Sequence, residues 1–102
     1  MASQELDMKT VWTRRATNHL QAAYRYWTHE KSEAAADIML DRIFSAVELL
    51  ERNPELGRAG RILNTRELVL RPLPFILAYR LRSDSVEILA LIHGARKWPG
   101  RF

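Results

Sequence analysis

The stretch 74–93, PFILAYRLRSDSVEILALIH, sets two apolar runs on either side of the polar tetrapeptide RSDS. Neither run repeats at the three-and-four spacing of a helix. In the first, Phe75, Leu77, Tyr79 and Leu81 alternate with Ile76, Ala78, Arg80 and Arg82, the period-two pattern of a strand. In the second, Val86, Ile88, Ala90 and Ile92 fall on one side. The intervening positions are also apolar, which predicts an interior strand covered on both faces. RSDS fits a tight hairpin turn. An antiparallel strand pair is therefore expected here, and the rest of the chain has to bury it.

Working upstream, RELVLR (66–71) is a candidate strand with Leu68 and Leu70 on one face. RPLP (71–74) links it to the pair, with its prolines outside the ladder. NPELGRAGR (53–61) carries two glycines, one proline and two arginines and is expected to be a surface loop. Before that the period becomes helical. Thr13 or a neighbour can open a helix carrying Ala16, Leu20, Ala23, Tyr24 and Trp27, with His19 and His29 facing solvent. THEKS (28–32) interrupts the pattern. Ser32 is a good N-cap, and Glu33 suits the positive helix end. A second stripe runs through Ala36, Leu40, Ile43, Val47 and Leu50, and Pro54 stops it. DMKTVW (7–12) predicts a short first strand with Met8 and Val11 inward.

The predicted class is α+β. It comprises an N-terminal strand, an antiparallel helical hairpin and a three-stranded antiparallel meander that completes a twisted sheet, with both helices on one side. The expectation is one domain over 1–102, with 1–7 a flexible N-terminal extension and 96–102 a C-terminal tail. At 47% hydrophobic and 27% charged residues, the usage is globular and not that of a disordered chain. The longest apolar run, Ile88 to Ile92, is too short to cross a bilayer. MASQELDMKT lacks the basic-then-apolar order of a secretory signal. The absence of cysteine removes disulfides and thiolate metal sites. Together these features lead to the expectation of a cytoplasmic protein without membrane contact.

The net charge of +4 is unevenly spread. Residues 1–51 hold six lysines and arginines against eight acids, whereas 52–102 hold ten against four. Thirteen of the sixteen basic residues are arginines, whose planar fork suits carboxylate or phosphate. The second half is thus expected to meet something acidic. Independent sequence-specific DNA binding is not expected, because Arg14, Arg15, Arg25 and Arg42 are interspersed with acids and not gathered on a reading face.

The element order, the loop NPELGRAGR, the strand PFILAYRL and the ending VEILALIHGARKWP together resemble the RelE/ParE superfamily of bacterial toxins from about Lys9 onward. The resemblance implies the toxin half of a type II toxin–antitoxin module, bacterial or plasmid-encoded and linked to plasmid stabilisation, that inhibits growth unless a cognate antitoxin neutralises it. ParE-like members inhibit DNA gyrase by binding. RelE-like members cut messenger RNA on the ribosome.

Cutting RNA through its own 2′-hydroxyl requires a base, an acid and a cation for the developing phosphorane charge. Aligned on Tyr79, the third-strand arginine of RelE-like toxins falls at Ile76. Arg96 matches their later arginine, but KWPGRF supplies no terminal tyrosine. If the protein were a nuclease, His93 and Arg96 would be the catalytic candidates. The ParE-like reading asks for surface instead of chemistry: Arg96, Lys97 and Trp98 for the target, with Trp98 either gripping it or folding back on the sheet. Ile76, Ala78 and Arg80 would lie on the antitoxin's track. No metal or cofactor is expected, and gyrase is the expected target, with the ribosome in the alternative.

Overall fold

The computed structural model describes residues 8–94 and 98–102. Thr13 joins the first two elements, strand β1 (Lys9–Trp12) and helix α1 (Arg14–Glu30). Its backbone is still extended, and its Oγ1 accepts the Ala16 N–H at 3.2 Å while donating to the Ile88 carbonyl at 2.8 Å. One hydroxyl thus caps the helix and fastens it to the sheet. Ser32 caps α2 (Glu33–Arg52) in the same way, accepting the Ala35 N–H at 3.0 Å. Strands β2 (Arg58–Ala59), β3 (Arg66–Val69), β4 (Phe75–Leu81) and β5 (Ser85–His93) follow.

The class is α+β as expected, but the sheet is mixed and five-stranded, in the order β1-β5-β4-β3-β2. β1 runs parallel to β5, from Lys9 opposite Ser85 to Trp12 opposite Ile88. Tight hairpins force antiparallel neighbours, whereas the long α1–α2 connection places β1 under no such constraint. The additional strand, β2, lies within the loop 53–61 and pairs antiparallel with β3.

Both helices cover one face. Ala16, Met39, Ile43, Val47 and Leu50 pack there against Phe75, Leu77, Tyr79, Val86, Ile88 and Leu91. The alternation expected for β4 holds along its whole length. That of β5 does not, because a bulge interrupts the ladder: Ala78 faces Ala90, but Tyr79 faces Ile88, leaving Leu89 as an extra residue. The phase therefore reverses. Val86, Ile88 and Leu91 turn to the helices, and Leu89, Ala90 and Ile92 to the opposite face. Met8, just before β1, and Trp12 reach the core, while Val11 is 47% exposed, contrary to expectation.

His19 also departs from the solvent-facing expectation. Its Nδ1 accepts the Leu91 N–H at 3.2 Å. Beyond Ile88, β5 has no β1 residue beside it, so α1 supplies the acceptor that a strand would have provided.

The loop before β3 is held from below by Tyr79, which is fully buried. Its hydroxyl donates to the Pro54 carbonyl at 2.8 Å and accepts the Gly57 N–H at 2.8 Å. Burial is the main reason that the phenol titrates above its ordinary value. A Cβ on Gly57 would meet the Tyr79 ring at 2.7 Å and the Glu67 carbonyl at 2.8 Å, so only glycine fits. Tyr79→Phe leaves a buried N–H and a carbonyl without their partner and should cost about 2 kcal/mol. Gly57→Ala forces backbone apart and should cost about 2 kcal/mol or more. Because both act on one contact, urea unfolding of the double variant should show less than the sum.

Candidate functional site

The sheet face away from the helices is built around a cross-strand pair of small residues. Ala78 and Ala90 lie side by side, with Ile76 and Ile92 paired next to them and Leu89 adjacent. Two methyl groups between larger neighbours leave a depression, and Trp98 and Phe102 pack onto this cluster. The Arg61 guanidinium covers the other side of the Trp98 ring, 3.6 Å from its centroid. Arg15, at the start of α1, lies 5.4 Å from the Phe102 ring. The segment 98–102 is therefore fastened at each end by an aromatic ring under an arginine. The Trp98 indole N–H is buried and has no acceptor among the described residues.

Arg61 is itself held by Glu67, a carboxylate on β3 that is only 3% exposed. Glu67 takes the Arg61 backbone N–H at 2.8 Å and its Nε at 3.1 Å on one oxygen. The other oxygen receives Arg61 Nη2 at 3.3 Å and Arg58 Nη2 at 3.1 Å. Burial, the largest single influence, pushes the carboxyl's pKa up. The Arg61 backbone N–H and the two guanidiniums together outweigh it and hold the pKa below the ordinary value.

Two positions along the same face, Arg80 and Arg82 share Glu87, at 2.9 Å and 3.3 Å. Each reaches Oε1 through its Nε. Ala78 is fully buried and Ile76 is 9% exposed at the rim of a shallow hollow formed with Val69, Pro72 and Gly94. Of the proposed antitoxin track, the structure thus places Ala78 in the cluster under Trp98, Ile76 at the rim of the hollow, and Arg80 half-buried in its ion pair. His93 is exposed at the end of β5, opposite Phe75 in the ladder and edge-on to its ring at 6.0 Å. Phe75 belongs to the helix-side core, so His93 and Trp98 sit on different faces. Arg96 and Lys97 lie outside the described residues.

A second surface lies between α2 and β3. There Ile38, Ala46, Leu49, Leu56 and Leu68 line an open groove with Asp41, Arg42 and Arg71 at its polar margins. Ile38 (55%) and Leu49 (41%) form an exposed apolar row along it, whereas Phe44 (43%) lies elsewhere on α2, edge-on to Trp12 of β1. Sequence reasoning missed this row because it followed only the stripe that points into the core. It missed Glu67 as well, although an acid inside RELVLR just after a two-arginine loop was a visible signal. Among the described residues, no group of His, Asp and Glu could hold a metal ion.

Replacing Glu67 by Gln should cost about 2 kcal/mol at neutral pH, the scale of lost charge-assisted hydrogen bonds to partners that can turn to solvent. The wild-type stabilisation from this carboxylate is complete above the ordinary glutamate range. It is lost as pH falls through the depressed value, because only the folded state holds the carboxyl ionised there. Chemical denaturation at a series of pH values should show the acid-side loss reduced in Glu67→Gln.

Residues 10–98 match the profile of the family described as ParE toxin of type II toxin-antitoxin system, parDE. The chain is 43% identical over 88 residues to the Sinorhizobium fredii (strain NBRC 101917 / NGR234) protein named "Putative toxin Y4kP", covering 86% of this chain and 90% of that protein. It also superposes on a solved structure described as "Chromosomal ParDE TA system from P. aeruginosa". The TM-score is 0.78 at 26% identity, over 84% of this chain and 95% of that one. With nearly the whole folded core matched in sequence and in architecture, the chain belongs to the ParE toxin family of type II toxin–antitoxin systems.

Proposed function

We propose that this ParE-family toxin acts in the cytoplasm by binding DNA gyrase and is neutralised by an antitoxin encoded beside it. The observation that carries the neutralised-toxin reading is the exposed apolar pair Ile38 and Leu49, which line the groove to β3 together with Ala46, Leu56 and Leu68. An amphipathic helix with apolar anchors at successive turns fits such a groove. Ile76, Ala78 and Arg80 are assigned to the antitoxin's further course, with Trp98 and Phe102 packed over the cluster that holds Ala78. Gyrase as the target follows from the family by analogy. In support of binding over RNA cleavage, an aliphatic side chain stands at Ile76, where the nuclease branch carries arginine, and His93 is on the other face from Trp98. Arg96 and Lys97 are assigned to target contact, with Trp98 as the anchor that seats them.

Expression of the chain alone should arrest growth, with altered plasmid supercoiling and intact transcripts; ribosome-dependent cuts in messenger RNA would replace gyrase binding with the nuclease reading. Ile38→Asp/Leu49→Asp changes only exposed side chains, so stability should stay within about 0.5 kcal/mol of wild type. Antitoxin affinity should fall at least about tenfold, as for central interface positions. Calorimetric titration with the protein from the neighbouring reading frame checks this.

A further inference from the structure

The arginines around Glu87 are arranged for a task that the fold does not require of them. Arg80 and Arg82 both spend their Nε on the same carboxylate oxygen of Glu87. Their terminal Nη groups make no hydrogen bond among the described residues. Their side chains are 31% and 54% exposed, whereas Glu87 is 21% exposed beneath them. One carboxylate between two guanidiniums leaves a net positive charge. It also fixes both forks in place, so less side-chain freedom is lost when a further carboxylate binds.

The neighbours on this face are equally specific. Val11 is paired with Glu87 across the β1–β5 ladder, and Arg80 with Glu87 across the β4–β5 ladder, so all three project from the same side. Val11 is 47% exposed, and Lys9, two residues before it, is exposed on the same side of β1. The result is an aliphatic side chain flanked by three cations, at the end of the sheet away from Trp98.

The geometry points to a docking patch, formed by Lys9, Val11, Arg80 and Arg82, for an acidic and aliphatic segment of a protein partner. A nucleic acid backbone would use the cations but has no aliphatic group to place on Val11. A peptide that alternates carboxylate and branched aliphatic side chains satisfies both. The inference rests on the proposed reading only for which protein supplies the segment. The patch is separate from the α2–β3 groove.

The test is an NMR titration of the isotope-labelled full chain with a short peptide of alternating glutamate and valine, and separately with a short DNA duplex at the same salt. Shifts should concentrate at Lys9, Val11 and the Nε signals of Arg80 and Arg82. Arg80→Gln/Arg82→Gln should weaken the peptide by about tenfold or more, the scale of lost paired charge contacts. Arg82→Gln alone, at an exposed position, keeps the test valid if the double variant unfolds, and should weaken it by about threefold. Val11→Ser should weaken the peptide and leave the duplex unchanged. Tighter binding of the duplex with no effect of Val11→Ser would overturn the proposal in favour of a nucleic-acid surface. Unchanged peptide affinity in Arg82→Gln, or shifts away from the patch, would overturn it altogether. A neighbouring-frame antitoxin that still binds in that case leaves the toxin reading intact, whereas one that never binds removes that reading and not the patch.

Discussion

The extra residue at Leu89 decides which way the most apolar strand of the molecule faces. Before it, Val86 and Ile88 point to the helices; after it, Leu91 takes over that side, and Ala90 and Ile92 face away. Without the bulge, a strict alternation would carry Ala90 and Ile92 under the helical hairpin and expose Leu91. The core would lose a large side chain where α1 crosses β5. The opposite face would lose the paired alanines that receive Trp98. Helix packing and C-terminal anchoring thus depend on one irregularity in the ladder.

Polar groups extend that arrangement outward. Thr13 and His19 take over the backbone of β5 where β1 stops short, so the start of α1 acts as part of the sheet edge. At the other side, the Tyr79 hydroxyl fixes the loop 54–57, and Glu67 fixes the arginines that follow. Arg61 then closes over Trp98. A buried carboxylate on β3 is thereby connected, through one guanidinium, to the C-terminal aromatic anchor. This explains why an acid is tolerated inside a strand: every strong contact that it makes is with an arginine or a backbone N–H.

For a toxin of the ParE family, such a scaffold presents surfaces of different chemistry. The groove beside α2 is apolar and open, suited to a helix. The cationic end of the sheet near Val11 is suited to an acidic strand. The Trp98 anchor lies between the loop of β2 and the start of α1.

The sequence by itself determined the order of the elements other than β2, both helix caps, the inward stripes of the two helices and the faces of β4. These follow from local periodicity and capping chemistry, which a linear reading can see. It also carried the family, through the combination of PFILAYRL with VEILALIHGARKWP. Only the tertiary structure decided the parallel placement of β1, the bulge at Leu89, the His19 contact and the cluster of Glu67 with its arginines. The β1–β5 pairing and the His19 contact join residues far apart in the chain, and all four are chosen by what remains to be satisfied once neighbouring elements have packed. Ile76, Ala78 and Trp98 were singled out from sequence separately. That the indole lies beside the alanine pair under Arg61 depends on two strands meeting in one register, which no local pattern records.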